Sequence, residues 1–227
     1  MKYLVVTMLC GFLSLTMTAQ EFIPIFNGKN LDGWKASTEN PNSFLVEDGM
    51  LVCRGGRAHL FYQGEGSSEP DFKNFELKLR IKTTAESNSG VYFHTKYQAS
   101  DWPSVGFEAQ VNSKHSDPRK TGSLYGVVNI WAPVNPEVPF VSKVNDNREV
   151  FVMAPRAPSM DDEWFDYHLI VQDNRIQIKV NGMTTVDWTQ PKDWTSTRRI
   201  GSGTVGLQAH DPKCDVYYKD IHLKVLD

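Results

Sequence analysis

Apolar and polar side chains alternate along most of the chain beyond residue 20, with the two-residue period of strands that bury one face. The alternation is clearest in residues 75–82, 105–112 and 204–210. Residues 44–53 read as a hairpin around the Asp48-Gly49 turn, and residues 164–188 read as a three-stranded meander with turns at Asp173-Asn174 and Asn181-Gly182. Because no segment beyond residue 20 shows a helical period with caps, the pattern predicts an all-β fold, a β-sandwich or jelly roll.

The start of the chain has a different pattern. Residues 3–15 form an apolar run, and residues 16–20 supply small side chains suited to cleavage. This arrangement predicts a secretory signal peptide at residues 1–20, too short for a comfortable membrane span. The remaining residues, 21–227, have the length of a single all-β domain. We therefore expect export across the inner membrane, to the periplasm or the cell surface.

Charge and cysteine content narrow the range of partners. The 24 Lys and Arg residues and the 27 Asp and Glu residues give a formal net charge of −3 and are mixed along the chain. No basic stripe is present, which excludes nucleic acid as an expected partner. Once Cys10 is removed with the signal peptide, Cys53 and Cys214 either pair in an oxidising compartment or remain two separate buried thiols. The sequence indicates no oligomeric state.

Residues 129–160 are the least regular part of the domain, because five prolines interrupt any strand ladder there. A loop of this length in a compact domain is usually functional or partly structured. We interpret it as one wall of a cleft that contributes Trp131, and a surface insertion without a role is the alternative.

The polar positions of the predicted strands suggest a site. Glu108 and Gln110 alternate with buried positions and so share a strand face, as do Tyr92 and His94 on the preceding strand. Gln208 and His210 share a face on a later strand. If these strands are neighbours, their polar faces meet in one place. A solvated strand face without function is the alternative interpretation.

Six ordered motifs resemble the 3-keto-disaccharide hydrolase domain family over nearly all of residues 21–227. The motifs are Phe26-Asn27-Gly28-Lys29-Asn30-Leu31-Asp32-Gly33-Trp34, Asn88-Ser89-Gly90-Val91-Tyr92-Phe93-His94, Gly106-Phe107-Glu108-Ala109-Gln110, Thr121-Gly122-Ser123-Leu124-Tyr125-Gly126, Val180-Asn181-Gly182 and Gly203-Thr204-Val205-Gly206-Leu207-Gln208-Ala209-His210. The resemblance implies a concanavalin A-like jelly roll of two antiparallel sheets, with a concave sheet that holds a carbohydrate. It also implies action on sugars whose 3-hydroxyl has been oxidised to a ketone. Members of the family often carry an Asp just after the Glu-x-Gln motif, where this chain has Asn112-Ser113.

The carboxylates needed for conventional glycoside hydrolysis are incomplete. Laminarinase-like jelly rolls use a strand reading Glu-x-Asp-x-x-Glu, and from Glu108 onward this chain has Gln110 and Ser113 at the other two positions. This argues against double displacement, which needs a second carboxylate. A 3-keto sugar changes the requirement, because the ketone acidifies the proton on C2 and the glycosidic oxygen lies β to the carbanion. One base and one group that holds an enolate then suffice.

We therefore expect Glu108 or His94 to remove the C2 proton, and His210 or a bound cation to stabilise the oxyanion at C3. Elimination and water addition would complete a net hydrolysis, and direct hydrolysis with Glu108 as the acid is the alternative. Substrate contacts are expected from Arg80, Tyr92, Gln110, Tyr125, Trp131, Gln208 and Asp211. The histidines could instead be packed structural residues, and the aromatic residues could belong to the core, with Trp102 a further candidate for stacking on a sugar. Arg80 could instead pair with Glu108 or form a surface ion pair.

A divalent cation held by oxygen and nitrogen ligands is a further option, with His94, Glu108, His210 and Asp211 as its candidate ligands. Two other functions compete with catalysis. The same face could serve as a non-catalytic carbohydrate-binding module, consistent with its shortage of carboxylates, or the domain could mediate interactions in the cell envelope.

Overall fold

The structure is a computed structural model that describes residues 21–66, 68–131, 142–144, 147–154 and 156–227. For residues 142–144 it describes the backbone alone. The predicted signal peptide and Cys10 lie outside the described residues, as does much of the irregular region after Trp131. In chain order the strands are β1 (Ile23–Pro24), β2 (Trp34–Ala36), β3 (Phe44–Glu47), β4 (Met50–Arg54), β5 (Ala58–Tyr62), β6 (Phe75–Thr83), β7 (Asn88–Thr95), β8 (Phe107–Asn112), β9 (Val128–Trp131), β10 (Ser142–Val144), β11 (Val150–Met153), β12 (Phe165–Gln172), β13 (Arg175–Val180), β14 (Met183–Thr189), β15 (Thr204–Ala209) and β16 (Asp215–Val225).

These strands form two main sheets and a small one. The larger sheet has the order β14-β13-β12-β6-β16-β4-β3, with β1 paired to β16, and the second has the order β2-β5-β15-β7-β8. The small sheet has the order β10-β11-β9, and β11 pairs with β9 in parallel. A 3₁₀ helix (Pro41–Ser43) is the one helix in the described residues, and none there is long and apolar enough to cross a membrane. The all-β prediction is confirmed.

The turns form where the sequence predicts them. Asp48 and Gly49, between β3 and β4, have φ values of 48° and 78°, and Asn181 and Gly182, between β13 and β14, have 48° and 76°. Two consecutive positive φ values are typical of type I′ turns, which match the twist of paired strands. The predicted hairpin and the meander of β12, β13 and β14 are both present.

The core lies between the two main sheets. On β6 and β12 alternate side chains are buried, as the two-residue period requires, and they include Phe75, Leu77, Tyr167 and Leu169. Across the sandwich, the Phe75 ring lies 6.2 Å from the Phe93 ring of β7. A fully buried aliphatic or aromatic side chain contributes about 1.5–3 kcal/mol, so this layer supplies most of the stability.

The middle of the second sheet departs from the expected pattern of one buried face and one solvated face. Every residue of β7, β8 and β15 is buried. One face of these strands packs on the core, and loops cover the other face. The polar face that the sequence predicts to be wet is therefore enclosed, and it forms the floor of a cavity.

The two cysteines of the domain are neighbours without being bonded. Cys53 lies in β4, opposite Val216 of β16, and Cys214 just precedes β16. Both side chains are buried and free, and the Cys214 thiol lies 3.7 Å from the Cys53 carbonyl oxygen. Of the two alternatives left open by the sequence, the structure has two buried thiols.

Candidate active site

Three adjacent strands bring the polar residues together. In β7 and β8, Tyr92 lies directly opposite Glu108, and Gly90 lies opposite Gln110. Gly206 of β15 lies opposite Tyr92, which places Gln208 on the other side of the same floor. Gly90 is required by this packing, because a Cβ at that position would lie 2.4 Å from Oε1 of Glu108. The Glu108 carboxyl occupies the space that a side chain at Gly90 would fill.

A closed set of hydrogen bonds fixes Glu108. The Tyr92 hydroxyl donates to its Oε2 atom at 2.9 Å, and the Gln208 amide donates to its Oε1 atom at 3.1 Å. The same amide nitrogen lies 3.0 Å from the Tyr92 hydroxyl oxygen. Burial raises the pKa of the Glu108 carboxyl, against the opposing influence of the Arg198 guanidinium and of the Tyr92 hydrogen bond. This arrangement favours a carboxylic acid that keeps its proton to higher pH than an exposed one.

The cavity above this floor has a volume of about 270 Å³. Pockets for small ligands start at roughly 300 Å³, so the space is on the scale of a single sugar ring. Its lining residues are Asn88, Tyr92, Trp102, Pro103, Glu108, Gln110, Asp117, Tyr125, Arg198, Gln208 and His210. The mixture of aromatic rings and hydrogen-bonding groups suits a ligand that has apolar faces and polar edges.

Two acceptors in the cavity lining have no donor among the described residues. The amide nitrogen of Gln110 donates to Asn88 at 2.9 Å, while its Oε1 atom has no partner. Oε1 of Gln208 is likewise unpaired, since its nitrogen is committed to Glu108 and Tyr92. A buried polar atom without a partner is costly, and a ligand hydroxyl is a donor of the kind that would satisfy it after a small side-chain adjustment.

His210 lies on the cavity wall with its imidazole oriented by a carboxylate. Its Nδ1 atom lies 2.9 Å from Oδ2 of Asp211, and its ring lies 5.2 Å from the Trp102 ring. Burial alone would raise the pKa of Asp211, but the hydrogen bonds from His210 and from the Lys213 backbone hold that pKa below its ordinary value. An ionised Asp211 accepts the Nδ1 proton of His210, which leaves Nε2 as the proton-accepting atom.

His115 lies near the same carboxylate oxygen. Its Nε2 atom lies 3.5 Å from Oδ2 of Asp211, and its Nδ1 atom accepts a hydrogen bond from the Asp117 backbone at 3.1 Å. His115, His210 and Asp211 thus place ligand-type atoms within 4.8 Å of one another. A metal-bound histidine donates its other ring N–H to an acceptor. Because His115 Nδ1 faces an N–H donor, it lacks the acceptor that a metal-bound histidine would need at its other ring nitrogen.

The sequence comparison now defines the family. A sequence profile of the 3-keto-alpha-glucoside-1,2-lyase-like domain matches residues 21–224. The chain belongs to this domain family. It is similar to a protein of Bacteroides thetaiotaomicron named 3-keto-disaccharide hydrolase. The two are 24% identical over an alignment 248 positions long, which covers 95% of this chain and 82% of that one.

Solved structures show the same fold at low sequence identity. A presumed glycosyl hydrolase from Parabacteroides distasonis has a TM-score of 0.66 at 21% identity, covering 91% of this chain and 94% of that one. A non-specific endo-beta-1,3(4)-glucanase has a TM-score of 0.53 at 12% identity, covering 92% and 91%. These similarities confirm the concanavalin A-like sandwich for this member of the lyase-like domain family.

Several of the predicted site residues do meet in the cavity. Tyr92, Glu108, Gln110, Tyr125, Gln208 and His210 all line it. Asp211 stands behind His210 and orients its ring. The predicted stacking candidate Trp102 also lines the cavity.

His94 does not join this group, and its expected place beside Tyr92 is wrong. The pairing of β7 with β15 shifts register where His94 stands, and His94 has a φ of 50°, so a bulge breaks the alternation there. Its Nε2 atom donates to the Lys73 carbonyl at 2.8 Å, and its Nδ1 atom accepts from the Gly201 backbone at 3.2 Å. With both ring nitrogens bound to backbone and its ring 5.8 Å from Phe75, His94 has a structural environment.

Arg80 and Trp131 also lie away from the cavity lining. Arg80 belongs to β6 in the other sheet, and its guanidinium lies 3.3 Å from Asp166 in an exposed ion pair, so it pairs with neither Glu108 nor a ligand in the cavity. Trp131 ends β9, where its ring packs 4.8 Å from that of Phe151. Neither side chain lines the cavity that holds Glu108, so the expected place of both beside Glu108 is wrong, because each lies on another sheet.

The sequence did not single out four of the polar residues in or near the cavity. Asn88, Asp117 and Arg198 line it, and Nε2 of His115 lies 3.5 Å from Asp211. Asp117, His115 and Arg198 come from irregular segments, where no periodicity assigns a side chain to a face. For Asn88 a signal existed, because it shares the alternation of β7 with Gly90 and Tyr92.

Proposed function

We propose that this protein cleaves glycosides whose sugar ring carries a ketone at C3, and that the cavity above β7, β8 and β15 is its active site. The observation that carries the proposal is the pairing of a buried, hydrogen-bonded Glu108 carboxyl with the Asp211-oriented imidazole of His210 on the wall of one sugar-sized cavity. Membership of the lyase-like domain family and the name of the Bacteroides relative support the same substrate class.

The reaction divides between these two groups. Nε2 of His210 accepts the C2 proton, and the electrons of the C2–H bond form an enolate across C2 and C3. As the enolate collapses, a C1–C2 double bond forms and the glycosidic C1–O bond breaks, with Glu108 donating its proton to the departing oxygen. Water then adds to C1 and a proton returns to C2, which completes a net hydrolysis. This assignment replaces His94 as the base, because its ring nitrogens are bound to backbone.

A second carboxylate in the lining leaves direct hydrolysis as the competing mechanism. Asp117 lines the cavity with Glu108, but its Oδ1 atom accepts a hydrogen bond from the Arg119 backbone at 2.8 Å and lies 3.6 Å from the Arg119 guanidinium. Both contacts use Oδ1 of Asp117, so that oxygen is committed to Arg119. The elimination route instead uses His210, oriented by Asp211, as its base.

The test uses 3-keto-trehalose and a 3-keto-glucoside together with their unoxidised parents. We expect turnover of the keto sugars alone, and in D₂O one deuterium at C2 of the released 3-keto sugar beyond the level in enzyme-free controls. Glu108→Gln should lower kcat by about 10²–10⁴, as expected for loss of a general acid. Glu47→Gln, which alters an exposed ion pair, is the matched control.

Three outcomes would count against the proposal. Equal cleavage of the unoxidised parents, or product without deuterium at C2, would favour direct hydrolysis. An unchanged rate for Glu108→Gln would move the acid elsewhere. No turnover of any keto sugar, combined with micromolar binding of an unmodified glycan in calorimetry, would favour a carbohydrate-binding module, which the unpaired amide oxygens of Gln110 and Gln208 would also serve.

We also propose that the protein acts after export, because residues 1–20 have the pattern of a secretory signal peptide. Cell fractionation followed by N-terminal sequencing of the mature protein tests this. A cytoplasmic protein that still begins at Met1 would refute it.

A further inference from the structure

The proposed reaction places negative charge on the C3 oxygen, and one side chain with a permanent positive charge, Arg198, lines the cavity. We propose that Arg198 is a further catalytic residue, whose guanidinium binds the C3 oxygen as the enolate forms. The inference rests on the proposed function and adds the group that stabilises its intermediate.

Arg198 lines the cavity together with Glu108 and His210. Its guanidinium carbon lies 5.1 Å from the centroid of the Tyr125 ring, which also lines the cavity. Cation–π contact at this distance holds a guanidinium beside a ring while leaving its N–H donors free to bind a ligand. The side chain is thus directed along the cavity wall by an aromatic neighbour.

The contrast with Arg119 shows why Arg198 is available. Arg119 lies 4.7 Å from the same Tyr125 ring, but its guanidinium contacts Asp117 at 3.6 Å and Glu149 at 3.5 Å. Among the described residues no carboxylate lies within 4.0 Å of the Arg198 guanidinium. Of the two arginines that contact Tyr125, Arg119 is paired with acids and Arg198 has no carboxylate partner among the residues that the structure describes.

The backbone around Arg198 is anchored, and its guanidinium packs against Tyr125, so the charge is positioned before a ligand arrives. The Arg198 carbonyl accepts a hydrogen bond from the Trp194 indole at 2.6 Å, and its N–H donates to the Ser196 hydroxyl at 3.2 Å. The Trp194 ring packs edge-on against Trp188 of β14 at 5.1 Å. A donor that is positioned in advance contributes more to transition-state stabilisation than one that must reorganise.

The electrostatic effect of Arg198 reaches the reacting groups. After burial, its charge is the largest influence on the pKa of Glu108, and it opposes the rise that burial causes. It acts in the same direction on Tyr92. The Arg198 charge therefore acts on the side of the cavity that holds Glu108, and an enolate oxygen is the species in the proposed reaction that a nearby positive charge stabilises.

The test compares Arg198→Gln and Arg198→Lys with the wild-type enzyme on a 3-keto-glucoside. Loss of one oxyanion donor typically lowers kcat by about 10²–10³, and we expect this for Arg198→Gln with KM changed by only a few fold. Arg198→Lys keeps the charge and should recover part of the rate. Circular dichroism and thermal melting establish that each variant is folded.

A second readout isolates the enolate. In D₂O, 3-keto-1,5-anhydroglucitol has no aglycone to lose, so exchange of its C2 proton reports enolisation without product release. Arg198→Gln should slow this exchange by the same factor as kcat. Arg119→Gln is the matched control, because it removes the other arginine from Tyr125 and should leave both rates within a few fold.

The outcomes separate this inference from the proposed function. If the wild-type enzyme turns over 3-keto-glucosides and Arg198→Gln keeps its kcat and exchange rate, the role of Arg198 is refuted while the proposed function stands. Equal losses in Arg198→Gln and Arg119→Gln would assign the effect to the packing of Tyr125 and also refute it. No turnover or exchange by the wild-type enzyme would overturn both.

Discussion

His59 makes the stability of this protein dependent on pH in a way that can be calculated. It lies in β5, directly opposite Gln208, and only 1% of it is exposed. Its ring packs edge-on against Tyr92 at 5.3 Å and against Trp102 at 5.6 Å, and neither ring nitrogen has a partner among the described residues. Burial lowers the pKa of His59 from its ordinary 6.5 to about 4.

The magnitude follows from the difference between the folded and the unfolded chain. Between pH 6.5 and 4 the unfolded chain binds a proton at His59 and the folded protein does not, so the free energy of unfolding falls as pH falls through this window. The His59 contribution is fully present above pH 6.5. A difference of about 2.5 pH units, at 1.36 kcal/mol per unit, removes about 3 kcal/mol by pH 4.

Urea unfolding of the wild-type protein and of His59→Phe at pH 7, 6, 5 and 4 measures this term. The variant has no titrating group at this position, so the stability of the wild-type protein relative to it should fall by about 3 kcal/mol from pH 7 to pH 4. Glu108, whose pKa is raised, acts in the opposite direction but is present in both proteins and cancels. The same cancellation applies to the ionisable neighbours of His59, which are Glu39, Arg57, Asp101 and His210.

His222→Gln is the control for loss of a histidine, because His222 lies in β16 on the larger sheet, away from the cavity. It should follow the wild-type protein within about 0.5 kcal/mol at each pH, as most surface substitutions do. If wild type and His59→Phe lose equal stability between pH 7 and pH 4, the buried, neutral state assigned to His59 is wrong.

Two further substitutions test the bulge that removes His94 from the cavity. His94→Gln should lower the free energy of unfolding by about 1–3 kcal/mol, because one amide cannot replace both backbone hydrogen bonds, while kcat stays within a few fold; a large kcat loss in a stable variant would return His94 to the chemistry. Gly106→Ala should destabilise by more than about 1 kcal/mol in chemical unfolding, because Gly106 has a φ of 86° and its Cβ would lie 2.3 Å from a β7 carbonyl oxygen. Gly66→Ala, with no atom within 4 Å of the new Cβ, is its control and should be near neutral.

Alternation predicted the floor of the site correctly because a strand has only two faces. Once Glu108 is assigned to the face opposite the core, Gln110 must share it, and the same argument holds for Tyr92 and for Gln208. Pairing of β7 with β8 and β15 then brings the three faces together. Turn chemistry was equally local, and the predicted Asp-Gly and Asn-Gly turns are present.

The sequence could not show which strands are neighbours or where a ladder breaks. Arg80 has the correct alternation for a polar face, but β6 belongs to the other sheet, and sheet membership depends on long-range pairing. His94 also fits the alternation, and the bulge that removes it depends on contacts between β7 and β15. In both cases the alternation rule was applied correctly, but the position of the side chain depends on contacts with residues distant in the sequence.

Gly90 is a local signal in the sequence that a buried group lies against β7. A glycine inside a strand weakens it and usually marks a close approach of another group. In β7 that group is the Glu108 carboxyl, which passes over Gly90 and so comes within reach of both Tyr92 and Gln208. Any larger residue at this position would force the carboxyl outward, toward water, where burial would no longer raise its pKa. The glycine thus links the strand pattern to the protonated state of the proposed acid, and it explains why an otherwise unfavourable residue occupies the centre of the sheet.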